Sequence, residues 1–318
     1  MKVPETSRPV LSIVAPFYNE EETAKLFYTV LRDELGSLDN IDFQFVFVDD
    51  GSDDQTLKTL TEIAQADTAV QVLSLSRNFG HQVALTAGLD HASGDAVLMM
   101  DSDLQHPPAL IPRMIDAWRD GSDVVSAVRE QTSGASFFKR HSASLFYRLV
   151  GSLTDTPITP GACDFCLLSR RAHQALMRMP ERHRFLRGMI SWIGFPRSFL
   201  PFNAPARAAG ETKYTVRKMV RLALDAVFSF STAPIKLASQ AGGVLVLAAA
   251  IYFGYILWRY WIVGDLIPGW GSLICTVLIL NGVQLFFTGL IGEYLSRTFE
   301  EAKRRPIYLI KFDSKGVT

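Results

Sequence analysis

The chain has 318 residues, with 32 basic and 32 acidic side chains and three cysteines, Cys163, Cys166 and Cys275. That length suits a globular domain of about 200 residues plus a smaller unit. A charged fraction of 20% argues against disorder, three thiols are too few for a disulfide framework or a structural zinc site, and 48% apolar residues with a mean hydropathy of +0.15 exceed what a wholly soluble chain usually carries.

The first ten residues, MKVPETSRPV, carry no hydrophobic signal core. Residues 11–15, 43–48, 72–75, 96–100 and 124–128 are short apolar runs bounded by polar turns, which predicts buried strands. Between them residues 20–35, 53–66, 82–91 and 108–119 predict helices. Asp53 suits the N-cap of the second, and Pro107-Pro108 suits the first turn of the fourth. This alternation predicts an α/β fold, a Rossmann-like, mostly parallel sheet covered on both faces. Ligands of such sheets bind beyond the carboxyl ends of the strands. Three predicted strands deliver Pro16 to Glu20, Asp49 to Ser52 and Asp101 to Asp103 to that edge.

Residues 129–236 are less periodic. Residues 133–150 read as a loop followed by an amphipathic helix. Residues 213–231 place basic side chains at Lys213, Arg217, Lys218 and Arg221 among apolar ones, as a helix on a bilayer surface does. Residues 237–258 carry no charge, and at 1.5 Å each they reach about 33 Å, enough to cross a membrane. Residues 266–292 are again uncharged; with Pro268 and Gly269 in the turn, about 23 residues remain to span. Trp258, Tyr260, Trp261 and Trp270 cluster at the short connector, as interfacial aromatics do. The connector has one basic residue, Arg259, whereas Lys213, Arg217, Lys218, Arg221 and Lys236 precede the spans and Arg297, Lys303, Arg304, Arg305 and Lys311 follow them. The positive-inside bias predicts that both ends are cytoplasmic.

The zero net charge is unevenly spread. Residues 1–160 hold an acidic excess of 11, and residues 161–236 a basic excess of 9. A nucleic-acid binder needs a basic main domain, so that class is excluded. Basic charge beside a hydrophobic tail fits an anionic membrane surface.

Asp101-Ser102-Asp103 follows the apolar run at 96–100. Carboxylates one residue apart at a strand end can share a divalent cation, and hard oxygens favour Mg²⁺ or Mn²⁺. The bland alternative is a solvated turn or a helix cap. Asp49-Asp50-Gly51-Ser52 also closes a strand; a carboxylate there can accept from a base or ribose, or cap the next helix. No G-x-G-x-x-G or G-K-[ST] loop occurs, which counts against a dinucleotide oxidoreductase and a P-loop NTPase. His81, His106 and His183 are further candidate ligands, His106 more readily a loop residue.

These segments occur in a telling order. Pro16-Phe17-Tyr18-Asn19-Glu20-Glu21, Asp49-Asp50-Gly51-Ser52, Arg77-Asn78-Phe79-Gly80 and Asp101-Ser102-Asp103-Leu104-Gln105 with Pro107-Pro108 come first. Arg184-Phe185-Leu186-Arg187-Gly188, Gly210-Glu211-Thr212-Lys213-Tyr214 and Gly292-Glu293-Tyr294-Leu295 leading to Arg304-Arg305-Pro306 follow. Together they resemble the bacterial polyprenyl-phosphate glycosyltransferases, relatives of dolichol-phosphate mannose synthase within the family 2 glycosyltransferases. The likeness runs from about residue 10 to residue 311.

The resemblance implies a GT-A catalytic domain over residues 1–212, amphipathic interface helices over 213–235, a two-helix transmembrane hairpin over 236–296 and a cytoplasmic tail over 297–318. It implies a multi-pass protein of the bacterial inner membrane. It further implies inverting, metal-dependent transfer of one sugar from a nucleotide sugar, UDP-glucose first, to polyprenyl (undecaprenyl) phosphate. On the family pattern Pro16, Tyr18, Glu20 and Asp50 line the nucleotide pocket. Asp101 faces the ribose or donor phosphate, Asp103 holds the metal, and Gln105 is a further ligand or supports one. Arg129, then Lys139 and Arg140, take the acceptor phosphate, while Arg207 and Lys213 close over the donor diphosphate. Asp164 matches an acidic position near the acceptor; it orients the acceptor or a basic side chain, or else makes a buried ion pair with an arginine such as Arg187. Relatives that transfer glucose often have arginine where this chain has Cys166, and those that transfer a modified aminoarabinose can have cysteine, so sugar identity stays open. The processive synthases of this fold carry a Gln-x-x-Arg-Trp motif and more spans, neither of which this sequence has. The strand-like tail at 307–310 offers an edge that could pair with a second copy in a homo-oligomer.

Overall fold

The computed structural model describes residues 8–129, 162–203, 233–263 and 269–316. Five strands alternate with four helices, as the periodicity predicts: β1 (Val10–Phe17), α1 (Ala24–Leu35), β2 (Asp42–Asp49), α2 (Thr56–Ala66), β3 (Val70–Leu75), α3 (His81–His91), β4 (Ala96–Met99), α4 (Ile111–Arg119) and β5 (Val124–Arg129). A short 3₁₀ turn, Pro108–Leu110, precedes α4, with proline supplying the fixed φ of a first helical turn. Helix α2 starts three residues later than Asp53, and Asp54 rather than Asp53 accepts from the Thr56 N–H, at 2.9 Å.

Beyond this the chain adds β6 (Ala162–Ser169), α5 (Arg170–Met177), α6 (Leu186–Trp192), β7 (Arg197–Phe202), α7 (Ala233–Val263), α8 (Trp270–Ala302) and β8 (Ile310–Asp313). All eight strands form one sheet in the order β7-β5-β6-β4-β1-β2-β3-β8. The β4-β1-β2-β3 block is parallel, as is β5 with β7; β6 runs antiparallel to β4 and β5, and β8 antiparallel to β3. This mostly parallel mixed sheet with helices on both faces is a GT-A-like α/β fold.

Side-chain alternation along β1 builds both faces. Leu11, Ile13, Ala15 and Phe17 join Phe27, Leu31, Phe45, Phe47 and Ile111 on the side of α1, α2 and α4. Val14 joins Val46, Val48, Leu85, Leu168 and Met189 on the side of α3, α5 and α6. Helix α3 is buried from Ala84 through Leu89, which is why its sequence shows little amphipathic period. Gly88 lets it lie close: a Cβ there would stand 2.3 Å from Val14 Cγ1.

The predicted surface helix at 213–231 and the helix predicted within 133–150 lie outside the described residues. Helices α7 and α8 carry exposed large apolar side chains along their lengths, among them Leu247, Ile251, Leu285 and Phe286. Among the described residues one segment, the 20 residues Gln240–Arg259, is long and apolar enough to cross a membrane, with a mean hydropathy of 1.9. The second expected span falls partly outside the described residues and otherwise within α8. The tail strand pairs with β3 on one side and is itself the last strand of the sheet.

Candidate active site

Strands β1, β2 and β4 end on one side of the sheet, so their carboxyl-end loops converge. The first two loops are stitched together. Asn19 N–H donates to Ser52 Oγ at 3.0 Å, Asp53 N–H to Asn19 Oδ1 at 3.0 Å, Glu20 N–H to Thr56 Oγ1 at 2.8 Å and Gln55 N–H to Glu21 Oε2 at 2.9 Å. Asn19 holds a φ of 54°, a left-handed value that asparagine tolerates better than most residues. Tyr18 is exposed on this loop, and Glu20 Oε2 accepts from the Thr23 hydroxyl at 2.7 Å. The third loop is tied in where Ser102 Oγ donates to the Pro16 carbonyl at 2.8 Å.

Both carboxylates at the end of β2 are buried and bonded locally. Asp49 accepts from Ser52 N–H at 3.1 Å and Ser74 Oγ at 2.7 Å. Asp50 accepts from Phe79 N–H at 2.7 Å and Gly80 N–H at 2.9 Å. Burial outweighs those two amides and pushes the Asp50 carboxyl above the usual carboxylate range. Gly51 follows with a φ of +68°, and a Cβ there would stand 2.4 Å from the Arg77 carbonyl carbon. The 50–51 turn and the 77–80 turn therefore interlock, with the Asp50 carboxylate turned into the 77–80 backbone.

The loop after β4 is backbone-strained. Leu104 sits at a φ of 58° between Asp103 and Gln105, a conformation that persists where surroundings enforce it. Asp101 N–H donates to His106 Nδ1 at 2.9 Å, which assigns the His106 proton to Nε2, 3.5 Å from Asp101 Oδ2. His106 is buried and stacks on Phe165, with ring centroids 5.0 Å apart. Burial pushes its pKa down, so it is a neutral loop residue. Gln105 N–H donates to Asp103 Oδ1 at 3.1 Å, and Gln105 Oε1 accepts from Arg129 Nη2 at 2.9 Å. Arg129 is the exposed last residue of β5, so that strand brings the predicted acceptor-phosphate arginine beside the predicted metal loop.

Behind Asp101 lies a charge cluster that spans the chain. His81 Nε2, at the first residue of α3, stands 3.2 Å from Asp101 Oδ1 and 3.5 Å from Asp164 Oδ2. Asp164 accepts from Arg187 Nε at 2.7 Å, from Arg187 Nη2 at 3.0 Å and from Gln82 Nε2 at 3.1 Å. The ion pair with Arg187 is thus the arrangement adopted. Burial alone would raise the Asp164 carboxyl, but Arg187 and His81 hold it far below the usual range. Burial would lower His81, and the two carboxylates instead lift it to about 9. Asp164 in turn lifts Arg187 above the ordinary arginine value.

The residues fit a divalent cation. Asp101 Oδ1 is buried and accepts no hydrogen bond, its nearest cationic group being His81 Nε2 at 3.2 Å, and Asp103 presents hard oxygens two residues on. Among the described residues no group of three His, Cys, Asp or Glu side chains is placed to hold a metal ion by itself. Mg²⁺-type binding asks for one or two carboxylates that share the ion with substrate phosphates. Gln105 can join only by giving up its bond to Arg129.

Lys139, Arg140, Arg207 and Lys213 lie outside the described residues. Cys166 is paired with Met99 and is buried, with Sγ 3.4 Å from Ser126 Oγ, and burial pushes its thiol up to about 11. Sequence reasoning passed over Gln82, which also accepts from Leu186 N–H at 3.1 Å and so joins α3 to α6. Its place two residues after the 77–80 turn, at the start of α3, was the available signal.

A family profile described as Glycosyl transferase family 2 matches residues 12–176. An uncharacterized glycosyltransferase of Synechocystis sp. is 40% identical over 300 residues, 94% of each chain. The prophage bactoprenol glucosyl transferase homolog of Escherichia coli is 38% identical over 301 residues, 95% of this chain and 98% of that one. Among solved structures, a mannosyltransferase from Pyrobaculum calidifontis in complex with GDP-Man and Mn²⁺ aligns over 94% of this chain and 87% of that one, at 18% identity and a TM-score of 0.47. With its folded core matched by that profile and nearly its whole length by such relatives, this chain belongs to glycosyl transferase family 2 and is a glycosyltransferase.

Proposed function

We propose that the protein transfers one sugar, glucose from UDP-glucose in first place, to undecaprenyl or a similar polyprenyl phosphate, with inversion at the anomeric carbon. The observation that carries this reading is the bond from Arg129 to Gln105, on the strand-end loop that holds Asp101 and Asp103, in a chain whose relatives include proteins named bactoprenol glucosyl transferase.

An oxygen of the acceptor phosphate attacks C1 of the sugar. The bond from C1 to the nucleoside diphosphate breaks, and its electron pair leaves on the diphosphate oxygen. The attacking phosphate is already an anion at neutral pH, so the protein's tasks are alignment and charge stabilisation. Asp103 with Gln105 would hold a divalent cation, Mg²⁺ or Mn²⁺, which would supply charge stabilisation for the leaving diphosphate. Pro16, Tyr18, Glu20 and Asp101 contact the nucleotide, and Asp50 holds the pocket wall. Arg129, Lys139 and Arg140 bind the acceptor phosphate, and Arg207 and Lys213 cover the donor diphosphate. Asp164, fixed by Arg187 and Gln82, keeps the acceptor side of the mouth ordered. In this reading residues 1–212 are the catalytic unit, 213–235 lie on the membrane, 236–296 cross it twice, and both ends are cytoplasmic at the bacterial inner membrane.

The test is transfer of radiolabel to the organic phase. Detergent-purified protein receives undecaprenyl phosphate, Mg²⁺ or Mn²⁺, and one labelled nucleotide sugar at a time. Chelator-sensitive transfer from UDP-glucose is the expected outcome. Transfer from another donor corrects the sugar; nucleotide binding without transfer from any donor overturns the acceptor assignment.

A further inference from the structure

The segment after α8 enters the catalytic sheet at the mouth side. Helix α8 ends at Ala302, and Arg304 takes a φ of 48°, the left-handed turn that stops a helix. Seven residues, Lys303 to Leu309, separate α8 from β8. Fully extended they reach at most about 25 Å. Strand β8 then pairs Ile310 with Leu75, the carboxyl-terminal residue of β3, and runs back to pair Asp313 with Leu73. Ser76 N–H donates to the Leu309 carbonyl at 2.8 Å, immediately before the 77–80 turn that holds Asp50.

Side chains fasten the same segment at both ends. Tyr308 Oη donates to Asp90 Oδ2 at 2.8 Å, and Gln71 Nε2 donates to Asp313 Oδ1 at 3.1 Å. Val72 N–H donates to Ser314 Oγ at 2.9 Å. At the helix end Arg182 N–H donates to Glu301 Oε1 at 2.8 Å, and the Arg182 guanidinium bonds the Arg305 carbonyl. The short, bonded exit from α8 thus ties that helix end to the outer edge of β3 and to Arg182.

We propose that residues 303–314 are a strap that fixes the strand-end mouth at a set distance and tilt from the cytoplasmic end of α8, so that a phosphate carried at a lipid surface arrives in line with the donor. The strap's partner surface is the outer edge of β3 with Ser76, Asp90 and Arg182. This rests on the proposed transfer to a membrane-held acceptor. The strap itself is independent of which sugar moves.

The experiment compares full-length wild type, Tyr308→Phe and a deletion of residues 307–318, all in lipid vesicles. Transfer is measured to long-chain polyprenyl phosphate in the vesicle and to a short, water-soluble isoprenyl phosphate. Deletion is expected to cut vesicle transfer at least about tenfold, since misplacement by an ångström can cost more, while short-chain transfer stays within about threefold. Tyr308→Phe moves in the same direction by a smaller factor. Unchanged vesicle transfer in both variants, or equal losses on both acceptors, overturns the strap. Hydrogen exchange at the Val72 and Ser76 amides gives a readout free of turnover. Both are expected protected in wild type and exposed on deletion, with fast exchange in wild type sinking the docking. A wild type active on neither acceptor, with both amides protected, overturns the functional reading and leaves the docked strap standing.

Discussion

Single atoms set the chemistry at the mouth. On the proposed mechanism Asp103 shares a cation with the diphosphate, so Asp103→Ala should lower transfer by about a hundred- to a thousandfold, the scale of losing a principal electrostatic contact. Folding and membrane binding should be unchanged, checked by circular dichroism and vesicle flotation; near-wild-type turnover would remove Asp103 from the metal. Asp164 makes the opposite point, because its neighbours matter for stability. It is 4% exposed and paired with Arg187. Arg187→Ala leaves a buried charge short of its main partner and should cost about 3–5 kcal/mol in urea unfolding. Arg187→Met combined with Asp164→Leu should recover most of that loss, since the penalty comes from the unpaired ion, while transfer remains impaired.

At the scale of elements, the site depends on loops locked to one another at strand ends. Gly51 is the tightest lock. Gly51→Ala demands a left-handed alanine and a Cβ 2.4 Å from backbone, so the 77–80 turn must shift. A loss of about 1–3 kcal/mol follows, with weaker nucleoside diphosphate binding in calorimetry; unchanged affinity would show that the interlock does not shape the pocket. Helices α1 and α2 are joined through Asp67, which accepts from Tyr28 Oη at 2.7 Å and pairs with Arg32 at 2.9 Å. Burial would raise this carboxyl, but Tyr28, the Ala69 amide and Arg32 together hold it below the usual range. A depressed carboxylate adds stability above its unfolded pKa and loses it as pH falls through the folded one. Asp67→Asn should therefore cost about 1–2 kcal/mol at pH 7 and progressively less below about pH 4. An equal cost at every pH would mean that packing, not charge, is what the substitution removes.

Across the whole molecule, an acidic α/β unit, a basic junction and two long apolar helices divide the work. The sheet gathers residues from positions 16 to 187 at one edge. Its far edge is completed by residues 310–313, which come after the apolar helices in the chain. The sheet and the apolar helices are thus joined by more than chain connectivity.

What the sequence by itself determined was local. The first five strands and their helices were legible because short apolar runs alternate with amphipathic segments, and a strand buried on both faces has no other way to be written. The acidic strand ends and the order of the motifs were equally plain, for they depend on neighbours in sequence. Strands β6 and β7 and helices α5 and α6 were not, since they are short and their burial is decided by what they pack on. Only the tertiary structure brought His81 and Gln82 to Asp164 and Arg187, over separations of 82 residues and more. Only it showed Cys166 turned into the core and the tail strand on β3. Each of these is a long-range pairing, whose loop-closure cost is met by contacts that no local pattern records.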